Sequence, residues 1–367
     1  MNILTIVGAR PQFIKAAVFS RYIRNTPSCG ITETIIHTGQ HYDQGMSDVF
    51  FAELDIPQPK RNLHTGSGNH GKTTGLMLER IEDEILERKP DIVLVYGDTN
   101  STLAAALAAS KLHIPVAHVE AGLRSFMMTM PEEQNRCLTD HLSTWLFCPT
   151  QTAVSNLEDE GISNNTSIDT PSIDKKRVII TGDIMYEASL YYREKKSVHI
   201  AEKDFILITI HRAENTDNPV RLKSIVSAIN NLTDYKFIFP VHPRTQKILE
   251  QQNLQFAPHV QVISPVGYFE MIAYESACLA VLTDSGGVQK EAFFFQKPCI
   301  TMRDSTEWVE LVNSGWNTLT GADTDKIIAS IKNIQIPQDY PSLYGDGCCA
   351  EKIVSYLSFP PKLAIHK

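Results

Sequence analysis

Between positions 281 and 310 the chain reads VLTDSGGVQKEAFFFQKPCITMRDSTEWVE, and this stretch leaves few folds open. A short apolar run ends at Thr283, and Asp284-Ser285-Gly286-Gly287 then make a turn with no bulky side chain. Helical spacing follows over 288–296, Lys297-Pro298 stop it, and 299–302 is apolar again before Arg303-Asp304. Strand, glycine turn, helix, strand is the repeating unit of a parallel sheet. A turn stripped of side chains lets backbone approach a ligand closely. The helix start behind it offers N–H groups and about half a positive charge to an anion. Glu291 lies near enough to that mouth to accept hydrogen bonds from sugar hydroxyls. Arg303 adds a fixed cation at the same carboxyl edge, where open α/β sheets bind their ligands.

The same rhythm runs through the rest of the chain. An apolar strand over 2–7 turns at Gly8-Ala9-Arg10-Pro11 into a helix that carries Lys15. This is not a GxGxxG pattern, which argues against a nicotinamide cofactor. Apolar strands over 31–36, 91–96 and 116–119 end in the polar loops His37-Thr38-Gly39-Gln40-His41, Gly97-Asp98-Thr99 and Glu120-Ala121-Gly122-Leu123-Arg124. Asp98 suits a helix cap, but a carboxylate at Glu120 is not needed for capping. Pro131 starts a helix whose dipole Glu132 and Glu133 complement. That accounts for one glutamate, and not for carboxylates at three strand or loop ends of one domain. Residues 57–72 read as a mobile surface loop and 161–177 as a linker or exposed loop. Strands over 178–180, 205–210, 236–239 and 260–263 then open a second half, with His211-Arg212 and His242-Pro243-Arg244 at its strand ends. The expected organisation is a first domain over 1–172, a second over 173–346, and a C-terminal helix over 347–367 packing back on the first.

Composition narrows the classes. A chain of 367 residues is long for one core. No apolar run reaches the roughly 20 residues of a membrane span, so no membrane partner is expected. The net charge of −8 argues against a nucleic-acid binder. Any anionic ligand must be held by a local cluster of basic groups. The seven cysteines include no CxxC, which suits neither a disulfide framework nor a zinc site and points to a reduced, cytoplasmic protein. The N-terminus enters a strand without a basic leader, so no secretory signal is expected.

Taken in order, these motifs resemble the non-hydrolysing UDP-N-acetylglucosamine 2-epimerases over nearly the whole chain. The matching residues are Gly8-Ala9-Arg10-Pro11 with Lys15, Gly39-Gln40-His41, Gly97-Asp98-Thr99, His118 through Arg124, Pro131-Glu132-Glu133 with Asn135-Arg136, His211-Arg212, His242-Pro243, and Asp284-Ser285-Gly286-Gly287 with Gln289 and Glu291. The resemblance implies an α/β fold of two Rossmann-like, doubly wound parallel-sheet domains of the glycosyltransferase B type, with the active site in the interdomain cleft. It implies a UDP-sugar substrate, no metal or other cofactor, and a homodimer. It implies a catalytic set of Asp98, Glu120, Glu132 and His211. Substrate contacts would come from Arg10, Lys15, Arg136, Arg212, His242, Ser285, Gly286, Gly287, Glu291 and Arg303. Gln40 and His41 would belong to an allosteric site. The implied reaction is anti elimination of UDP to a 2-acetamidoglucal and re-addition with inversion at C2, in the supply of surface-polysaccharide precursors.

The chemistry suits those residue types. The C2 proton is weakly acidic and leaves only as the C1–O bond to UDP breaks, so the departing diphosphate needs cations and N–H donors. Inversion at C2 needs proton-handling groups on two faces, each worth roughly 10²–10⁴-fold. A glycosyltransferase would share the fold and the UDP turn but would not need three carboxylates in its first domain.

Some positions depart from the family pattern: Gln12 stands for a glutamate, Trp308 for an arginine beside the sugar pocket, and the stretch from Glu120 to Glu132 is shorter. The 63–72 loop lacks an expected arginine. These variants resemble the branch acting on UDP-2,3-diacetamido-2,3-dideoxy-glucuronic acid, the alternative substrate. Arg10, Lys15, Arg124 and Arg136 are the basic side chains expected to reach the sugar end.

Overall fold

The computed structural model describes residues 1–40, 54–66, 68–163, 172–195 and 198–358. They divide into two units, the described residues of 1–188 with those from 343 on, and those of 189–342. No helix among the described residues is long and apolar enough to cross a membrane.

The first unit holds a seven-stranded sheet: β1 (Asn2–Val7), β2 (Thr32–His37), β3 (Arg61–Asn62), β4 (Ile92–Tyr96), β5 (Val116–Val119), β6 (Trp145–Cys148) and β7 (Arg177–Ile180). The order is β3-β2-β1-β4-β5-β6-β7, and the pairs are parallel. Helices cover both faces, so the central strands are continuous apolar runs instead of alternating ones. All five residues of β4, IVLVY, are buried. One face carries Leu4, Ile6, Val93 and Val95 against Met77 and Ile81 of helix His70–Arg88 and the buried alanines of helix Asn100–Lys111.

The second unit holds β8 (Phe205–Thr209), β9 (Lys236–Pro240), β10 (Val260–Ile263), β11 (Ala280–Thr283), β12 (Cys299–Thr301) and β13 (Asn317–Leu319). The order is β10-β9-β8-β11-β12-β13, again parallel. Both sheets are doubly wound and Rossmann-like. Each reverses its winding at one strand pair, β1/β4 and β8/β11, where such sheets bind ligands.

The expected boundary at 172/173 is corrected. The run at 178–180, expected to open the second half, lies in β7, which pairs with β6, Trp145 opposite Arg177 and Cys148 opposite Ile180. An apolar run carries no mark of which sheet it joins. The unit division falls at 188/189, inside helix Ile184–Lys195. At the other end of the chain, helix Cys349–Leu357 packs against helix Arg10–Asn25 of the first unit.

Beneath β1 and that N-terminal helix sits Glu33, whose carboxylate accepts from Thr5 Oγ1 at 2.6 Å and from Ser20 Oγ at 2.5 Å. It keeps some exposed surface, yet the surrounding protein desolvates it, and its carboxyl is pushed from the ordinary 4.5 up to about 7, the two hydroxyls opposing. The folded chain thus holds this proton more tightly than the unfolded one. The associated stability is complete below about pH 4.5 and is lost as the pH rises through about 7. Glu33→Gln should match the native chain at acid pH. By pH 8 it should be the more stable by about 1–2 kcal/mol, after allowance for residual exposure. Thermal unfolding of both proteins from pH 5 to pH 8 checks this, and a midpoint difference that stays flat with pH would refute it.

Candidate active site

In the first unit the β1/β4 edge is built by one buried amide. Gln12, 1% exposed, accepts from Gly8 N at 2.8 Å and Ala9 N at 3.1 Å. It donates to Tyr96 O at 2.8 Å and Thr102 Oγ1 at 2.9 Å. All four hydrogen-bonding positions of the side chain are filled. Gln12 therefore ties the first turn to the end of β4. A carboxylate there could not make the two donations. The turn itself needs glycine, because a Cβ at Gly8 would run into Ser101 Oγ and Thr38 Oγ1. Arg10 is exposed at the helix start.

Lys15, one turn further in and 7% exposed, forms an ion pair with Glu120. Glu120 sits at φ 73°, a region costly for a residue with a side chain and often associated with functional sites. The kink has a visible anchor: the N–H groups of Glu120 and Ala121 both donate to Phe147 O, each at 3.1 Å. Gly97 leaves room for the pair, since a Cβ there would stand 3.2 Å from Lys15 Nζ and 3.3 Å from Glu120 Oε2. Beside it, buried His118 spans Asp140 Oδ1 and Gly97 O, both at 2.7 Å. Burial alone would raise the Asp140 carboxyl, but His118 and Arg124 draw it below the usual range.

Arg124, expected at the sugar end, is directed elsewhere. It is 4% exposed and committed to Asp140 at 2.7 Å and to both oxygens of Glu160 at 2.7 Å. Its place is under the loop that carries Glu120.

The neighbouring glutamates separate by face. Glu133 is 1% exposed and accepts from Ser125 N, Ser125 Oγ and Phe126 N, so it anchors the loop before its helix. Glu132 is exposed, four residues before Arg136 and so on the same helix face. Arg136 pairs with Asp98 and lies 3.3 Å from Glu133. Asn135 Nδ2 donates to Asp98 O at 2.9 Å. Lys15 with Glu120 and Asp98 with Arg136 thus form two charge pairs, with Glu132 on the face of Arg136. Gln40 accepts from Ser101 Oγ at 2.8 Å. His41 lies outside the described residues.

In the second unit the β8/β11 edge depends on a residue the sequence named only as part of a motif. Asp284, fully buried, accepts from His211 N at 3.0 Å, Arg212 N at 3.1 Å and Asn215 Nδ2 at 3.1 Å. It fixes the turn from which the His211 side chain emerges half-exposed, Nδ1 3.5 Å from Asp284 Oδ1. Desolvation lowers the His211 pKa; Asp284 opposes it, and Arg212 and His242 lower it further. His242 caps the next helix, accepting from Arg244 N at 3.2 Å.

Ser285 caps helix Gly286–Phe294 through Val288 N at 3.4 Å. A Cβ at Gly286 would collide with Glu307 Oε1 and reach 3.5 Å from Arg212 Nη2, whereas Gly287 faces open space. Arg303, 5% exposed, is held by Glu307 at 2.9 Å. Trp308 turns inward: it is 3% exposed, donates Nε1–H to Gly286 O at 2.9 Å, and carries Lys290 Nζ 4.2 Å above its ring. Gln289 completes the brace, accepting from Thr306 Oγ1 at 2.7 Å and Asn317 Nδ2 at 2.9 Å and donating to Ser285 O at 3.0 Å. The result is a rigid helix start with Arg212 and Arg303 close by. Such a site suits a diphosphate.

Comparison with known proteins covers nearly the whole chain. The profile of the UDP-N-acetylglucosamine 2-epimerase family matches residues 23–358. The UDP-2,3-diacetamido-2,3-dideoxy-D-glucuronate 2-epimerase of Pseudomonas aeruginosa is 52% identical over 365 residues, 98% of this chain and 99% of that one. The crystal structure of the Methanocaldococcus jannaschii UDP-GlcNAc 2-epimerase with UDP-GlcNAc and UDP is 43% identical, with a TM-score of 0.85 over 98% of this chain and 100% of that one. The Neisseria meningitidis UDP-GlcNAc 2-epimerase bound to UDP-GlcNAc is 31% identical, with a TM-score of 0.84 over 97% of this chain and 99% of that one. The chain belongs to the UDP-N-acetylglucosamine 2-epimerase family and is an isomerase, a nucleotide-sugar 2-epimerase.

Proposed function

We propose that this enzyme interconverts UDP-N-acetylglucosamine and UDP-N-acetylmannosamine by elimination and re-addition of UDP. The observation that carries the neutral sugar is the charge balance of the first unit. Lys15 is paired with Glu120, Arg136 with Asp98, and Arg124 with Asp140 and Glu160. A sugar carboxylate taken out of water needs a cation or several donors, and these three cations are committed. A second substrate, UDP-2,3-diacetamido-2,3-dideoxy-glucuronate, is favoured by the 52% identity to the Pseudomonas aeruginosa enzyme.

The reaction has two half-steps. A carboxylate of the first unit takes the C2 proton while the C1–O electron pair leaves with UDP, and a C1=C2 double bond forms. A diphosphate oxygen then attacks C1, and a proton reaches C2 on the opposite face. Asp98, Glu120 and Glu132 are the proton-handling carboxylates. His211, its pKa lowered, completes the set as a neutral imidazole. Arg10, Lys15 and Arg136 line the sugar end. Arg212, Arg303, His242 and the Ser285-Gly286-Gly287 helix start hold the diphosphate, and Glu291 accepts from the ribose hydroxyls. All seven cysteines are unpaired, which supports a reducing compartment such as the cytoplasm. The family likeness supports a homodimer.

Incubation of UDP-N-acetylglucosamine in deuterated water should place deuterium at C2 with UDP still attached. Side-by-side kcat/KM values for the two sugars should favour UDP-N-acetylglucosamine. Strong turnover of the uronate with little of the neutral sugar would transfer the assignment to the second substrate. Asp98→Asn, Glu120→Gln and Glu132→Gln should each lower kcat by about 10²-fold or more while UDP still binds. Near-normal turnover in any two of the three would remove them from the chemistry. Glu291→Ala should weaken UDP binding by roughly 1.5–3 kcal/mol, the scale of a hydrogen bond to a charged group. Calorimetric titration with UDP measures it, and an unchanged affinity would make Glu291 a bystander.

A further inference from the structure

We infer that Glu275 is a positioning residue for Glu291, the two carboxyls sharing one proton so that Glu291 is held as a charged acceptor for a vicinal diol. The inference rests on the assignment of Glu291 to the ribose. Glu275 stands on the last turn of helix Tyr268–Ala277 and is completely buried. That helix packs against helix Gly286–Phe294, on which Glu291 is partly exposed. The ionisable groups acting on or acted on by Glu275 are Glu291, Tyr268, Cys278 and Cys299, with Tyr192 beyond Tyr268 and Lys297 acting on Cys278.

With both carboxyls ionised, neither oxygen of Glu275 has a donor. A buried charge in that condition is not tolerated. One proton changes this, because a carboxylic acid donates to a carboxylate in a short, charge-assisted bond. Burial, then the charge of Glu291 and its hydrogen bond, raise the Glu275 pKa well above the ordinary 4.5. The proton therefore resides on the buried member and the charge on the member that reaches solvent. A carboxylate that accepts from two neighbouring hydroxyls must be ionised and fixed in one rotamer, and a protonated Glu275 behind it supplies both conditions. The proton is present below the raised pKa and is lost as the pH climbs through it. Two like charges then face each other and Glu291 is displaced.

The test is calorimetric titration of the full chain with UDP and with 2′-deoxyuridine diphosphate from about pH 6 to about pH 10, a range that covers buried glutamates. The native chain should prefer UDP by about tenfold or more at neutral pH and lose that preference on the alkaline side. Glu275→Leu, with no donor, should lose about tenfold in that preference while its affinity for the deoxy compound holds within about twofold. Glu275→Gln keeps a donor that does not titrate, so it should retain the preference and abolish its alkaline loss. A leucine variant with the native preference overturns the inference and leaves the ribose assignment standing. If the leucine variant does not fold, a glutamine variant with the native alkaline loss overturns it equally. A native chain that does not distinguish the two nucleotides removes the ribose assignment, and the inference with it.

Discussion

A parallel sheet delivers the last residue of every strand to one edge, and where the winding reverses, two neighbouring strands send their chains apart and leave an opening. Most of the proposed site residues follow from that constraint, met twice. In the first unit it sets Gly8-Ala9-Arg10 beside Gly97-Asp98, with β5 delivering Glu120 next door. In the second it sets the His211-Arg212 turn beside Asp284 and the helix start after it. One buried polar side chain then fixes each opening: Gln12 binds the β1 turn to the end of β4, and Asp284 binds the β8 turn to the end of β11.

The charges at these edges are matched closely. Lys15–Glu120, Arg136–Asp98 and Arg303–Glu307 each hold at least one side chain that is almost entirely out of water. Desolvation cancels most of the Coulombic gain of such pairs, so they are weak arguments for stability. Their physical effect is orientation. Glu120 accepts a left-handed backbone at φ 73° and is still aimed at Lys15, because Phe147 O holds the kink and Gly97 leaves the space. A reaction that moves a proton from one face of C2 to the other depends on such placement more than on affinity.

The alternation of strand, turn and helix was legible in the sequence, as were the carboxylates at strand ends, because both are local patterns. What was hidden depends on partners far along the chain. The 177–180 run looks the same whether it closes the first sheet or opens the second, and only its pairing with Trp145–Cys148 decides. Glu132 and Glu133 are interchangeable as letters at a helix start, yet one is exposed and the other anchors Ser125 and Phe126. Arg124 read as a cation for the sugar and is instead buried against Asp140 and Glu160. Glu275 left a faint signal, a second carboxyl after Glu270 in the largely apolar helix YFEMIAYESA, but its partner Glu291 lies on a different helix.

The two departures that looked most like changes of substrate turn out to be changes of scaffold. Gln12 is spent on the β1 turn, and Trp308 on the Gly286 carbonyl and Lys290. Neither indole nor amide is left to meet a sugar. An arginine in place of Trp308 would bring a second cation to Lys290 in a buried site, so the exchange is coupled to packing under the Ser285-Gly286-Gly287 turn. On the proposed assignment, sugar preference falls to groups that are exposed at the first-unit edge. In the 125–130 loop Glu133 pins the start, while Phe126, Met127 and Met128 stand exposed at 77%, 46% and 59%. Apolar side chains can pack on a methyl group and offer nothing to a carboxylate. On the proposed assignment, a loop of that chemistry suits the neutral sugar by charge, while its shortness suits a second acetamido group.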